Sequence, residues 1–256
     1  MITSQAPVAC AAPTRVADRI AAAPDGPVRV LHAATDLVHL DLPGGAVGVA
    51  AAGAPGLPHA LRTNLPAVAP LGSSGEPPTA YVGYGILRLD GRALVTGRLV
   101  DVRAPRLDPA RIPRTSPAVG QGTPRSRGAG LVAVPDRIDA RAVSELVGRG
   151  DGLTPLGDDV LCGWLAAHRA AGVPTPAVDD AVRRALPRTT TVSATLLECA
   201  LAGEVPDLVA AYLRVLGTPG AAVARTALTG LGHSSGAGLA HGIDLAVAAV
   251  TAREAA

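Results

Sequence analysis

The chain has 256 residues, a formal net charge of +2 and 48% hydrophobic residues, with only 2% aromatic residues and no phenylalanine. That length is ample for a buried core, in one large domain or two small ones. A near-neutral balance with few stacking rings argues against a nucleic-acid binder, which needs a basic groove lined by aromatic side chains. Small side chains must fill the core, so close helix packing is expected.

Cys10, Cys162 and Cys199 are odd in number and scattered. They make neither a disulfide framework nor a CxxC metal pair, and they read as buried thiols. Met1 to Ala23 lacks the basic start and apolar run of a secretory signal. The most apolar segment, Ala237 to Val250, carries His241 and Asp244 and is too short to span a bilayer. The expectation is a cytoplasmic protein with no membrane partner.

In chain order, Thr14 to Ala23 predicts a short helix with Val16, Ile20 and Ala23 on one face. Alternating runs at Val28–His32 and Leu37–Leu42 are followed by a returning run at Ala46–Ala50, the last two joined by a turn at Pro43-Gly44-Gly45. Leu57 to Pro70 has three prolines and no period, and Gly72 to Pro78 reads as a loop. Asp90-Gly91 between two apolar runs is a hairpin signal, and Leu99–Val102 extends the sheet. Residues 1–107 are therefore a β-rich module, expected as a small barrel or a curled sheet. Residues 108–137, rich in proline, glycine and arginine, read as a linker or long loop. From Ile138 the period turns helical, and 138–256 reads as an all-helical domain. The expected fold class is α+β, an N-terminal β-rich module packed on a C-terminal helical domain.

The informative stretch is Gly148-Arg149-Gly150-Asp151-Gly152-Leu153-Thr154-Pro155-Leu156-Gly157-Asp158-Asp159. Glycines at 148, 150 and 152 allow positive φ and close approach of a ligand. Thr154-Pro155 reads as N-cap and first helical residue. Thr-Pro recurs at Thr175-Pro176 and Thr218-Pro219, so the pair alone is start grammar. Acids in a first turn also suit the helix macrodipole, by about 0.3–1 kcal/mol. Neighbours on a helix point about 100° apart, so one aspartate is expected to face a pocket and the other to cap or face solvent. A carboxylate beside a phosphate is repulsive without a cation between them. The pair therefore either holds Mg²⁺ with water completing its shell, or accepts hydrogen bonds from an amide or ureido ligand.

Two further constellations carry polar chemistry. Thr189-Thr190-Thr191 with Ser193 can line a pocket or cap its own helix. Gly232-His233-Ser234-Ser235-Gly236 precedes an apolar helix, where serines are natural caps and a free N-terminus binds anions. Adjacent Ser and His do not make a hydrolytic triad, which is a matter of geometry. Arg183, Arg184 and Arg188 are read as surface ion pairs.

These three constellations, in this order, resemble one known family. Gly152-Leu153-Thr154-Pro155-Leu156-Gly157-Asp158-Asp159-Val160-Leu161-Cys162-Gly163 resembles the GLTPxGDDxLxG signature of the AllH family. Thr189-Thr190 with Ser193, Leu196 and Leu197 resembles its threonine-serine helix, and Gly232 to Gly236 its glycine-histidine-serine-glycine turn. The likeness runs from about Ile138 to Val250. The chain departs from it at Ala237-Gly238, where many members carry an acid, so no carboxylate role is carried over there.

The resemblance implies a subunit of oxamate carbamoyltransferase, which converts oxalurate and phosphate to oxamate and carbamoyl phosphate in anaerobic allantoin breakdown. It implies two partner subunits and assigns no catalytic residues. Joined to the residue chemistry, it makes Asp158, Asp159 and His233 the candidate catalytic residues. Gly150, Gly152, Thr154, Gly157, Thr189, Thr190, Ser193, Ser234, Ser235 and Gly236 are the candidate substrate-binding residues. The ligands expected are a ureido or carboxylate substrate and phosphate. No cofactor is expected, with Mg²⁺ at Asp158 and Asp159 as the alternative. Double replacement of these aspartates by asparagine is expected to abolish turnover with little loss of folding. The competing readings are a non-catalytic scaffold subunit and a metal-dependent amide or ureido hydrolase.

Overall fold

Short strands with a two-residue period cannot bury their apolar face alone, and here they close on one another. The computed structural model of this protein describes residues 6–69, 78–108, 112 and 132–254, with side chains to residue 252. It divides into two compact units, residues 1–102 and 103–256. The fold is mixed α+β.

In the first unit, eight strands form a closed barrel. They are β1 (Val8–Pro13), β2 (Gly26–Ala33), β3 (Leu37–Leu42), β4 (Gly45–Ala50), β5 (Ala60–Arg62), β6 (Ala80–Gly83), β7 (Ile86–Leu89) and β8 (Arg92–Val100). The order around the barrel is β1-β5-β4-β3-β2-β6-β7-β8, and β8 closes it by pairing parallel with β1. Closure removes the exposed edges that open sheets must protect. Val38, Leu40, Leu42, Val47, Val49, Leu61, Leu87 and Leu94 build its core with Val16 and Ile20 of helix α1 (Thr14–Ala22).

Both hairpins expected from the sequence are present, at Pro43-Gly44 and at Asp90-Gly91, where φ is 49° and 76° as an inward-twisting two-residue turn requires. Strands β1, β5 and β6 were not expected. Each is short, and each is a strand because of its pairing partners rather than its own pattern. Of the expected loop at Gly72 to Pro78, residues 72–77 lie outside the described residues, as do 109–111 and 113–131 of the expected linker.

Three histidines lie close together: His32 on β2, His39 on β3 and His59 just before β5. His39 stacks on His59 with ring centroids 5.3 Å apart, and His32 lies 6.3 Å from His39. His59 is fully buried, and neither of its ring nitrogens has a hydrogen-bond partner among the described residues. Burial first, then His39 and Arg19 nearby, push His59 down to about 3; burial and His32 push His39 down to about 4. A histidine held neutral by the fold lends stability that is complete above its unfolded value and is lost as pH falls towards its folded value. Thermal melts of the full chain are therefore expected to weaken from about pH 6.5 downward, by about 1.4 kcal/mol per pH unit for His59 alone. His59→Leu should flatten that slope, and an unchanged slope would contradict the assignment.

The second unit is helical. It comprises α2 (Ala140–Leu146), α3 (Leu156–Ala171), α4 (Pro176–Ala185), α5 (Thr191–Leu201), α6 (Asp207–Val215), α7 (Ala221–Thr229) and α8 (Ser235–Glu254). Local grammar accounts for several ends. Asp139 caps α2 by accepting from Arg141 N and Ala142 N, and Gly172 ends α3 in the left-handed region at φ 68°. Thr175-Pro176 opens α4 as read, but the Thr175 hydroxyl donates to Asp179 instead of capping. The length argument against a membrane-spanning helix does not hold: Ser235–Ala252 of α8 is long and apolar enough by length and composition. That stretch is mostly buried within the protein and packs on α3, as a core helix does.

Candidate functional site

Glycines decide where α3 and α8 meet. A Cβ on Gly163 would overlap the Leu239 carbonyl oxygen, and one on Gly242 would overlap the Val160 carbonyl oxygen. The site where a Cβ on Gly238 would sit is 2.8 Å from Asp159 Cβ. The contacts 159–238, 163–239 and 164–242 advance in step, so the two helices run parallel with their N-termini together. The N-terminus of α5 joins them, because Ser193 in its first turn reaches Asp158 in the first turn of α3. Three helix N-termini therefore converge, each the positive end of a macrodipole, and the paired acids sit where negative charge is favoured.

Asp158 is fully buried and saturated. Its Oδ1 accepts from Gly148 N at 2.9 Å. Its Oδ2 accepts from the hydroxyls of Thr189 at 2.5 Å and Ser193 at 2.7 Å. Burial pushes this carboxyl up, and the three donors oppose that push. Gly148 takes φ 74° with the Arg188 carbonyl 2.6 Å from where a Cβ would be, so only glycine delivers its N–H to Asp158. Thr190 completes the junction. Its hydroxyl donates to Leu153 O at 2.5 Å and caps α5 by accepting from Ser193 N at 3.0 Å.

Asp159 has a different environment. It is 4% exposed, and its Oδ2 has no hydrogen-bond partner among the described residues. Ser235 Oγ lies 2.7 Å from Thr154 Oγ1, which ties the glycine turn to the start of α8. Burial pushes Asp159 well above the usual carboxylate range; Ser235 opposes this and the Asp158 charge adds to it.

A carboxyl whose folded value is raised stabilises the fold fully below its unfolded value and loses that contribution as pH rises through the folded one. Asp159→Asn, isosteric and unable to ionise, is expected to raise the melting temperature at pH 8 and flatten the decline from pH 4 upward. The gain expected is about 1–3 kcal/mol, the range for an unpaired buried polar group. Equal melting curves for both proteins would contradict this.

The structure thus joins Asp158, Thr189, Thr190 and Ser193 in one hydrogen-bonded junction, and pairs Thr154 with Ser235 at the start of α8. Several expectations need correction. Helix α3 starts at Leu156 with Pro155 in the cap position, and Thr154 bonds Ser235 instead of capping. Neither aspartate caps or faces solvent, because α5 covers one and α8 the other. Gly157 and Gly236 are packing positions, where a Cβ would overlap the carbonyls of Leu146 and Leu228. Their N–H groups donate to Arg149 O and Leu231 O, both at 2.9 Å, and so are not open to an anion.

His233 is exposed and makes no hydrogen bond with the cluster among the described residues. Ser234 is half-buried, and its carbonyl accepts from Gly238 N. Gly150 takes φ 117°, with Leu156 N 2.7 Å from where a Cβ would be, while Gly152 is exposed with open space beside it. The reading of the sequence missed the Gly148 N–H as a partner of Asp158. It also missed the Gly238-Gly242 pair, one helical turn apart, as the seat of α3. A cavity of about 700 Å³ lies further along α3, lined by Trp164, His168, Val178, Leu245 and Ala249 among others, and includes none of the expected site residues.

The family model described as oxamate carbamoyltransferase subunit AllH matches residues 146–247. No curated protein and no solved structure matches the chain. The matched segment contains the glycine turn, both aspartates, the threonine-serine start of α5 and the start of α8. Residues 146–247 of the helical unit are therefore similar to the AllH family.

Proposed function

We propose that this chain is a subunit of an enzyme that transfers a carbamoyl group from oxalurate to phosphate, releasing oxamate and carbamoyl phosphate. The family name points to a subunit of oxamate carbamoyltransferase, and a subunit implies partner chains and small-molecule substrates. The observation that carries the reading is the buried, unpartnered Oδ2 of Asp159 beside the Ser235–Thr154 pair. A buried acceptor left unpaired costs about 1–3 kcal/mol, and a ligand N–H would recover it. In this reading a ureido group meets Asp159, Thr154 and Ser235 orient it, and Asp158 holds the frame. Catalysis is then mostly positioning and stabilisation of charge on the transferring group.

Magnesium fits the pair poorly. Both oxygens of Asp158 already accept from protein donors, which leaves one open carboxylate oxygen, on Asp159. The mutual satisfaction of the cluster's hydroxyls favours a second reading, a scaffold subunit whose partners hold the active site.

One assay separates the two readings. Carbamoyl phosphate formation from oxalurate and phosphate is measured with this chain and its partner subunits, using wild type and Asp159→Asn. Loss of turnover in a folded, assembled variant supports the transferase site. Unchanged turnover supports the scaffold.

A further inference from the structure

Closing a barrel covers a strand edge only where neighbours overlap, and β8 outruns β7. Strand β7 pairs with Arg92, Ala93 and Leu94 of β8, while β1 pairs on the other side as far as Val100. From Val95 to Val100, no strand among the described residues pairs on the β7 side. The alternation of covered and exposed residues stops at the same place, and 95 to 99 are all exposed. The backbone N–H and C=O groups on that side of β8 are a template for another strand.

The side chains around the edge are apolar. Four of the five exposed large hydrophobic residues described in the chain, Tyr81, Tyr84, Val95 and Leu99, lie on β6, on its turn into β7 and on β8. Tyr84 is 91% exposed, so its ring adds almost no packing within the chain. It nevertheless holds φ 52°, a conformation that costs a bulky residue more than glycine, and its N–H donates to Asp25 Oδ1 at 2.8 Å. The β7–β8 register, continued past Leu87↔Leu94, sets this turn level with Thr96 and Gly97. A strained, exposed tyrosine beside an open edge has the character of an interface anchor.

The edge also fixes the chemistry of its occupant. Unpaired backbone groups call for an extended strand, and Tyr84, Val95 and Leu99 call for apolar side chains on it. Arg98 is the only charged residue from 95 to 100, and it sits at the middle of the open stretch 96–100. Antiparallel pairing of two copies across that whole stretch would set Arg98 opposite Arg98 of the second copy. Like charges directly opposite are destabilising, so the fit is to a different chain with a carboxylate at that place.

We propose that the open edge of β8, with Tyr84 beside it, docks an extended, apolar, acid-bearing strand of a partner subunit. The occupant rests on the subunit reading above, in either its transferase or its scaffold form. The added strand lies beside β8 where β7 leaves off, Arg98 meets its carboxylate, and Tyr84 anchors its apolar side.

Hydrogen exchange of the full chain, followed residue by residue alone and in the assembly with its partner subunits, tests this. Amides of residues 96–100 that face away from β1 should exchange fast in the chain alone and slow by about 10-fold or more in the assembly. An assembly whose edge amides stay fast overturns the docking while the subunit reading stands; Arg98 is then a guard against strand pairing. Arg98→Glu should weaken assembly by about 10-fold or more, and Arg98→Lys should keep it. Tyr84→Gly should weaken assembly by a similar factor without lowering the melting temperature of the chain alone. Full-strength assembly by both Arg98→Glu and Tyr84→Gly overturns the docking.

A wild-type chain that assembles with no partner subunit overturns the subunit reading. The edge is then probed on the chain alone with a capped strand peptide, threonine and valine about a central glutamate, and with its lysine counterpart. Slowed exchange at 96–100 with the glutamate peptide only keeps the docking edge without the subunit reading. No change with either peptide overturns both.

Discussion

Alanine at Gly163 or at Gly242 is expected to destabilise the helical unit by about 4 kcal/mol or more, at the exceptional end for single substitutions. Each added methyl would overlap a backbone carbonyl of the facing helix, Leu239 or Val160, and not the movable end of a side chain. The helices must then separate along a contact that also buries Leu161, Leu165, Ile243 and Ala246. Overpacking ordinarily costs about 1–3 kcal/mol because neighbours shift; a helix backbone has less freedom to shift. The measurement is urea denaturation followed by fluorescence of Trp164, the only tryptophan in the chain. Alanine at the exposed Gly152, which has nothing within 4 Å, lacks this clash and should retain the α3–α8 contact. A native-like midpoint for Gly163→Ala would contradict the parallel α3–α8 packing described above.

Asp158→Ala is expected to cost about 3–5 kcal/mol, because it strands three donors in a buried junction. Gly148 N, Thr189 Oγ1 and Ser193 Oγ all converge on this carboxylate. Asp158→Asn should cost less, since its carbonyl still accepts from one donor while its amide can donate to a hydroxyl. Thr189→Val and Ser193→Ala should each cost about 1–2 kcal/mol, and combined with Asp158→Ala they should add little, as expected for groups that share one network. Additive losses in that double-mutant cycle would contradict the shared junction. This corrects the expectation that both aspartates can be exchanged for asparagine with little effect on folding. Asp158 belongs to the frame, so only Asp159→Asn tests function without disturbing the fold.

Much of the helical unit was legible in local signals. The stop of α3 at Gly172, Pro176 at the start of α4, Thr190 capping α5 and the apolar run of α8 are all decided within a few residues. The hairpins at Pro43-Gly44 and Asp90-Gly91 were legible for the same reason. A small barrel or curled sheet was expected, but the set of strands that closes the barrel was not legible. β5 has three residues and pairs with β1 and β4, so its state depends on distant chain rather than on its own pattern.

The site divides the same way. Glycines, paired acids and hydroxyls at helix starts are composition at fixed spacing, and they mark the segments that converge. Which acid does what is a question of direction. Neighbouring residues on α3 project about 100° apart, and the sequence does not say which neighbour each will meet. Packing against α5 turned Asp158 into a saturated strut, and the parallel approach of α8 left Asp159 with a bare oxygen beside Ser235. The Thr154–Ser235 bond spans 81 residues and exists because glycines let two helix backbones approach. Local chemistry set the elements and their polar ends; contacts between distant backbones set which of those ends meet.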